Sequence, residues 1–88
     1  MKRSEDVLLQ DVAGEAVLVP LGGKVMDLNG LVVLNATGRF VWQELAEQRS
    51  VQELAAAVSE RFEVSAESAC IDVQQFVDHL AELGLLAR

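Results

Sequence analysis

The chain of 88 residues holds one cysteine, Cys70, and one histidine, His79. These are the side chains best suited to act as nucleophile and base near neutral pH. They stand nine positions apart on a stretch that reads as helix. At about 100° per residue, that spacing sets them on opposite faces. They therefore form no nucleophile–base pair, and one Cys with one His cannot build a zinc site. Cys70 borders an apolar stripe and reads as a small hydrophobe, while His79 reads as a boundary residue. Leu21-Gly22-Gly23-Lys24-Val25 has glycines and a lysine but neither the spacing nor the Ser/Thr of a phosphate-binding loop. Carboxylate pairs such as Asp72 with Asp78, or Glu44 with Glu47, belong to solvated helix faces. No Asp-Ser pair offers a helix-start serine for a pantetheine arm. No catalytic constellation emerges, no cofactor is expected, and the chain reads as a non-enzyme.

Charge placement narrows the partners. The formal net charge is −7. Residues 1–40 contribute four basic and five acidic groups, and residues 41–88 three basic and nine acidic. An acidic second half is a poor grip for a phosphate backbone, so no nucleic acid is expected. One cysteine makes no internal disulfide. No apolar run approaches the ~20 residues of a membrane span, and no signal core follows Met1-Lys2-Arg3-Ser4. One cytoplasmic domain with no membrane partner is the expectation. With 51% hydrophobic and 24% charged residues, it should fold rather than remain disordered.

The elements that must position any site change character near Asn35. Residues 7–12 and 16–21 read as strands around an Ala13-Gly14-Glu15 turn. Asn29-Gly30 between two β-prone runs is a hairpin signal, because a type I′ turn needs positive φ twice. Asn35 can cap a helix over 36–47 that buries Phe40, Val41 and Leu45, with Trp42 on a flank. Ser50-Val51-Gln52-Glu53 is a capping box opening a second helix. Its stripe is Val51, Leu54, Ala55, Val58 and Phe62. Ser65 caps a third helix over 66–83, with Ala69, Val73, Phe76, Val77, Leu80 and Leu83 inward. Gly84 suits a left-handed stop, and Leu85-Leu86 should tuck beneath the helices. The expected fold is α+β: N-terminal antiparallel strands, then a three-helix bundle.

What remains is protein or peptide binding. Leu31-Val32-Val33-Leu34 is apolar throughout, with no lysine or proline to blunt an edge. Such a strand is either central in its sheet or an edge left open for an added strand. An open edge would equally permit a homodimer, with Ile71 on the outer face of the third helix adding contact.

The residues also carry a family resemblance. Leu34-Asn35-Ala36-Thr37-Gly38-Arg39-Phe40-Val41-Trp42 resembles the LNxTGxxxW core of PqqD-like proteins. Ser50-Val51-Gln52-Glu53-Leu54 with Arg61-Phe62 resembles that family's second helix. Asp72-Val73, Phe76-Val77, Leu80, Leu83 and Gly84-Leu85-Leu86 resemble its closing pattern. The match spans residues 7–86 in order. It implies a winged-helix-like fold and a non-catalytic peptide chaperone that recognises ribosomally made precursor peptides. It further implies that the precursor's leader adds as a strand beside the third strand, packs against the third helix, and is presented to a radical SAM maturase. Carried onto this chain, the docking strand is Leu31, Val32, Val33 and Leu34. On the third helix Cys70, Gln74, Val77 and Ala81 share one flank of the stripe as groove candidates, and the opposite flank carries Asp72 and His79. Asn35, Gly38, Trp42 and Gly84 become cap, close-packing residue, core anchor and helix stop. Val17-Leu18-Val19-Pro20-Leu21 departs from the Leu-Leu-x-Pro-Glu run of the pyrroloquinoline quinone (PQQ) pathway members. The pathway thus stays open between that one and another peptide-maturation system.

Overall fold

The computed structural model describes residues 1–20 and 32–87. The Gly22-Gly23-Lys24 segment, the Asn29-Gly30 hairpin and Leu31 lie outside the described residues. In chain order the elements are β1 (Lys2–Arg3), β2 (Val7–Val12), β3 (Glu15–Pro20) and β4 (Val32–Leu34), then α1 (Ala36–Glu44), α2 (Val51–Phe62), α3 (Ala66–Glu82) and β5 (Leu86–Ala87). Antiparallel strands thus precede three helices in an α+β arrangement.

β2 and β3 form a hairpin whose register pairs Val12 with Glu15. Only Ala13 and Gly14 make the turn, with φ of 52° and 83°. Two positive φ values are what the twist of adjoining strands demands of a two-residue turn. Glu15, expected in the turn, is therefore released into the strand. β4 joins β3 antiparallel, setting Val33 opposite Val17 and Leu34 opposite Ala16. Strand alternation then sends Leu18, Ala16 and Leu34 toward the helices, while Val33 points outward and is 55% exposed.

Each helix begins on a side-chain cap. The Gly38 N–H donates to Asn35 Oδ1 at 2.8 Å. The Ser50 N–H donates to Glu53 Oε1 at 2.9 Å, and the Glu53 N–H returns a bond to Ser50 Oγ at 3.1 Å. The Ser68 N–H donates to Ser65 Oγ at 3.1 Å. α2 stops at Glu63, which is left-handed at φ 53°. α3 stops through a Schellman pattern, with the Leu85 N–H on the Leu80 carbonyl and the Gly84 N–H on that of Ala81. Gly84 takes φ 72°, as that motif requires.

The first helix is shorter than its pattern of apolar residues predicts, ending at Glu44 rather than 47. The cause is distant in sequence. The Arg3 N–H donates to the Leu45 carbonyl at 2.8 Å, and Arg3 Nη1 donates to that of Trp42 at 3.2 Å. Carbonyls at the helix end thus find donors in β1 and need no further turn. The same arginine lies over the Trp42 ring, 5.8 Å from its centroid. Trp42 is consequently 1% exposed and central to the core, not on a flank, whereas Phe40 is only half-buried and meets Phe62 edge-on at 5.6 Å. β1 in turn pairs with β5, Arg3 opposite Leu86. Around Trp42 the core gathers Leu18, Leu45, Leu54, Val58, Val73, Leu80 and Leu85. Cys70, expected at the stripe's margin, is exposed.

Two caps give measurable expectations. Replacing Asn35 by Ala strands the Gly38 N–H and should lower stability by about 1 kcal/mol, whereas Asn35→Asp should retain most of it. Urea unfolding followed by Trp42 fluorescence measures both, and an unchanged Ala midpoint would deny the cap its role. Glu53 is held below the ordinary glutamate range, first by the Ser50 backbone N–H and then by its hydroxyl. A depressed folded-state pKa contributes stability above the unfolded value and loses it as pH falls through the folded one. The Ser50 amide proton shift should therefore titrate with a midpoint below that of an unperturbed glutamate, and Glu53→Gln should abolish the titration.

Candidate peptide-docking groove

The groove is built where β4 runs into α1. Among the described residues β4 pairs with β3 alone, at the end of the strand order β2–β3–β4. No described strand pairs with its other side, where backbone groups can meet a further strand.

Immediately after β4, Asn35 turns the chain into α1, and Gly38 lets that turn approach α3 closely. A Cβ at Gly38 would lie 3.2 Å from Phe76 Cε1, 3.2 Å from Asn35 Oδ1 and 3.6 Å from Leu34 Cβ. Strand, cap and third helix thus converge on one hydrogen atom's worth of space. Beside this contact opens a cavity of about 370 Å³. Gly38, Val41, Val73 and Phe76 make its apolar wall, and Asn35, Thr37, Asp72, Gln75 and His79 its polar rim. A second, shallower hollow of about 550 Å³ lies on the other side of the β4 terminus, between Val33, Leu34, Asn35 and Arg39 and the Gly14-Glu15-Ala16 corner. Arg39 is committed there to Asp11, with Nη1–Oδ1 at 2.9 Å and Nη2–Oδ2 at 3.0 Å. This two-pronged bond ties α1 to β2; exposed as it is, it contributes about 0–1 kcal/mol.

The expected site residues separate on this frame. Val32, Val33 and Leu34 form β4, and Leu31 lies outside the described residues. Val77 is 6% exposed and belongs to the core. Cys70 and Gln74 are exposed, and Gln74 Nε2 donates to Asp78 Oδ1 at 2.9 Å. Ala81 borders a different hollow, beside Lys2, Arg3 and Leu86. None of these four lines the cavity at the β4–α1 junction. The flank that does is the one carrying Asp72 and His79. Thr37, Val41, Val73, Gln75 and Phe76 are lining residues that the sequence pattern did not single out as contacts; Val41, Val73 and Phe76 read as core. No group of three or more His, Cys, Asp or Glu side chains among the described residues could hold a metal ion. No helix among them is long and apolar enough to cross a membrane.

Known proteins place this geometry in context. Among curated protein sequences none matches the chain. Among solved structures, TbiB1 in complex with the TbiA(beta) leader peptide superposes with a TM-score of 0.75 at 27% sequence identity, over 98% of this chain and 94% of that one. The model of the family described as coenzyme PQQ synthesis protein D matches residues 15–86, which include β3, β4, all three helices and the Gly84 stop. On that match across most of its length, the chain belongs to the PqqD family.

Proposed function

We propose that this chain is a single peptide-recognition domain that captures the leader of a ribosomally made precursor peptide and presents it to a modifying enzyme. The leader adds as a strand to the open side of β4. Side chains on its helix-facing side then reach the cavity between α1 and the Asp72–His79 flank of α3. The observation that carries this reading is the edge of β4, unpaired among the described residues, ending beside a cavity. A structural neighbour in complex with a leader peptide supports it. The chain acts without catalysing a step. Its enzyme is a radical SAM maturase of the pyrroloquinoline quinone pathway or of a related peptide-maturation system, meeting it in the cytoplasm.

Strand addition uses backbone donors and acceptors for affinity and alternate side chains for selectivity. Together with a few apolar anchors this should give micromolar binding, about −8 kcal/mol. The test is a titration of ¹⁵N-labelled protein with a synthetic leader from a precursor gene neighbouring this reading frame. Backbone amides of Val32, Val33 and Leu34 should shift, together with those of Asp72, Phe76 and His79. Shifts at Cys70, Gln74 and Ala81 would move the groove to the opposite flank. Shifts confined to β1 and β5 would defeat the docking scheme. Sedimentation across a concentration series separates the other use of the same edge: a chain that dimerises through β4 should dissociate as leader is added.

A further inference from the structure

Given leader docking at β4, we propose that the cavity between the first turn of α1 and α3 receives a lysine or arginine side chain of the leader. The cavity therefore selects precursors carrying a cation at one helix-facing position. The inference rests on the strand-addition reading above and deepens it.

Geometry supplies the position. In an added strand, residues opposite Val32 and Leu34 share the face of those two side chains, which is the helix side. Leu34 runs directly into Asn35 at the cavity mouth, so the leader residue nearest Leu34 is the one whose side chain enters. The residues beside Val33 point away with Val33 itself.

Chemistry supplies the residue type. The part of the Phe76 side chain left accessible, with Thr37 near it, can cover an aliphatic stem. At its rim, Asp72 is exposed and carries neither an ion pair nor a hydrogen bond to another described residue. An ionised carboxylate accepts only, and docking a strand over it removes water that now solvates it. A cation on the incoming side chain replaces that water, whereas a leucine would leave the charge without a partner and a glutamate would add repulsion. Among the described residues no lysine or arginine lines the cavity to satisfy Asp72 from within, and the nearby Arg39 is held by Asp11. The positive end of α1, which would favour an anion here, is met by the Asn35 cap. The surplus of acidic residues in 41–88 adds an attractive field in the same direction.

The experiment uses the full chain and the synthetic leader used above, substituted one position at a time with Lys, Arg, Leu and Glu, with binding read by fluorescence anisotropy. At a single helix-facing position Lys or Arg should bind at least about tenfold more tightly than Leu, and Glu more weakly than either. That preference should vanish with Asp72→Asn and invert with Asp72→Lys, where the Glu peptide becomes the better ligand. Thermal melts of the two variants should match the parent, since Asp72 is exposed. An apolar optimum at that position, or a cation preference unchanged by Asp72→Asn, would overturn the proposal while leaving strand docking intact. Loss of any amide response at Val32, Val33 and Leu34 would overturn both.

Discussion

The arrangement depends on a side chain that is missing. Gly38 sits in the first turn of α1, where Leu34, Asn35 and Phe76 all come within 3.6 Å of the place a Cβ would occupy. In a helix interior glycine costs about 0.5–1 kcal/mol relative to alanine, and here that cost offsets a closer fit between strand and helix. Because α1 can lie against α3 at this point, the end of β4 is brought beside the third helix instead of being held off by a layer of side chains. The cavity opens beside that contact, with Gly38 and Phe76 both in its lining.

Around that contact the fold is held by donors placed far away in sequence. Arg3 connects three things at once: its N–H takes the Leu45 carbonyl, its guanidinium takes that of Trp42, and its cationic plane covers the indole. The strand pair β1–β5 then locks the end of α3 to the same region, since the Ser4 N–H donates to the Leu85 carbonyl at 2.9 Å. The C-terminal ends of α1 and α3 are thus tied together through β1.

Local chemistry was the most readable part of the sequence. Asn35, Ser50 with Glu53, Ser65 and Gly84 each announce a helix boundary because a cap is a contact within three or four residues. The short end of α1 was unreadable for the converse reason: its terminating donor is Arg3, some forty positions away. Trp42 belongs to the same case, since periodicity gives a side chain a direction but not the element waiting there. The flank of α3 that lines the cavity was equally undetermined. Cys70, Gln74 and Ala81 on one side, and Asp72 and His79 on the other, stand at similar angles from the buried stripe. Only the close approach at Gly38 breaks that symmetry. The edge position of β4 was ambiguous too, because an apolar strand without gatekeepers reads alike whether it is buried between neighbours or kept open.

Side chains must supply much of the affinity in the proposed docking. The described part of β4 is the three residues Val32–Leu34. An added strand could form only about three or four backbone hydrogen bonds with it, each contributing about 0.5–1.5 kcal/mol net. Ordering a flexible peptide costs about 1–2 kcal/mol for each backbone residue fixed, which offsets most of that gain. Backbone pairing alone therefore falls short of the roughly −8 kcal/mol of a micromolar complex. The difference has to come from side chains facing the helices, and the described surface offers one preformed recess where such a chain could enter beside β4 and α3. Where pairing is limited to those few bonds, affinity and selectivity rest on the same few side-chain anchors, so a peptide that lacks the right one is not held weakly in the wrong register but scarcely held.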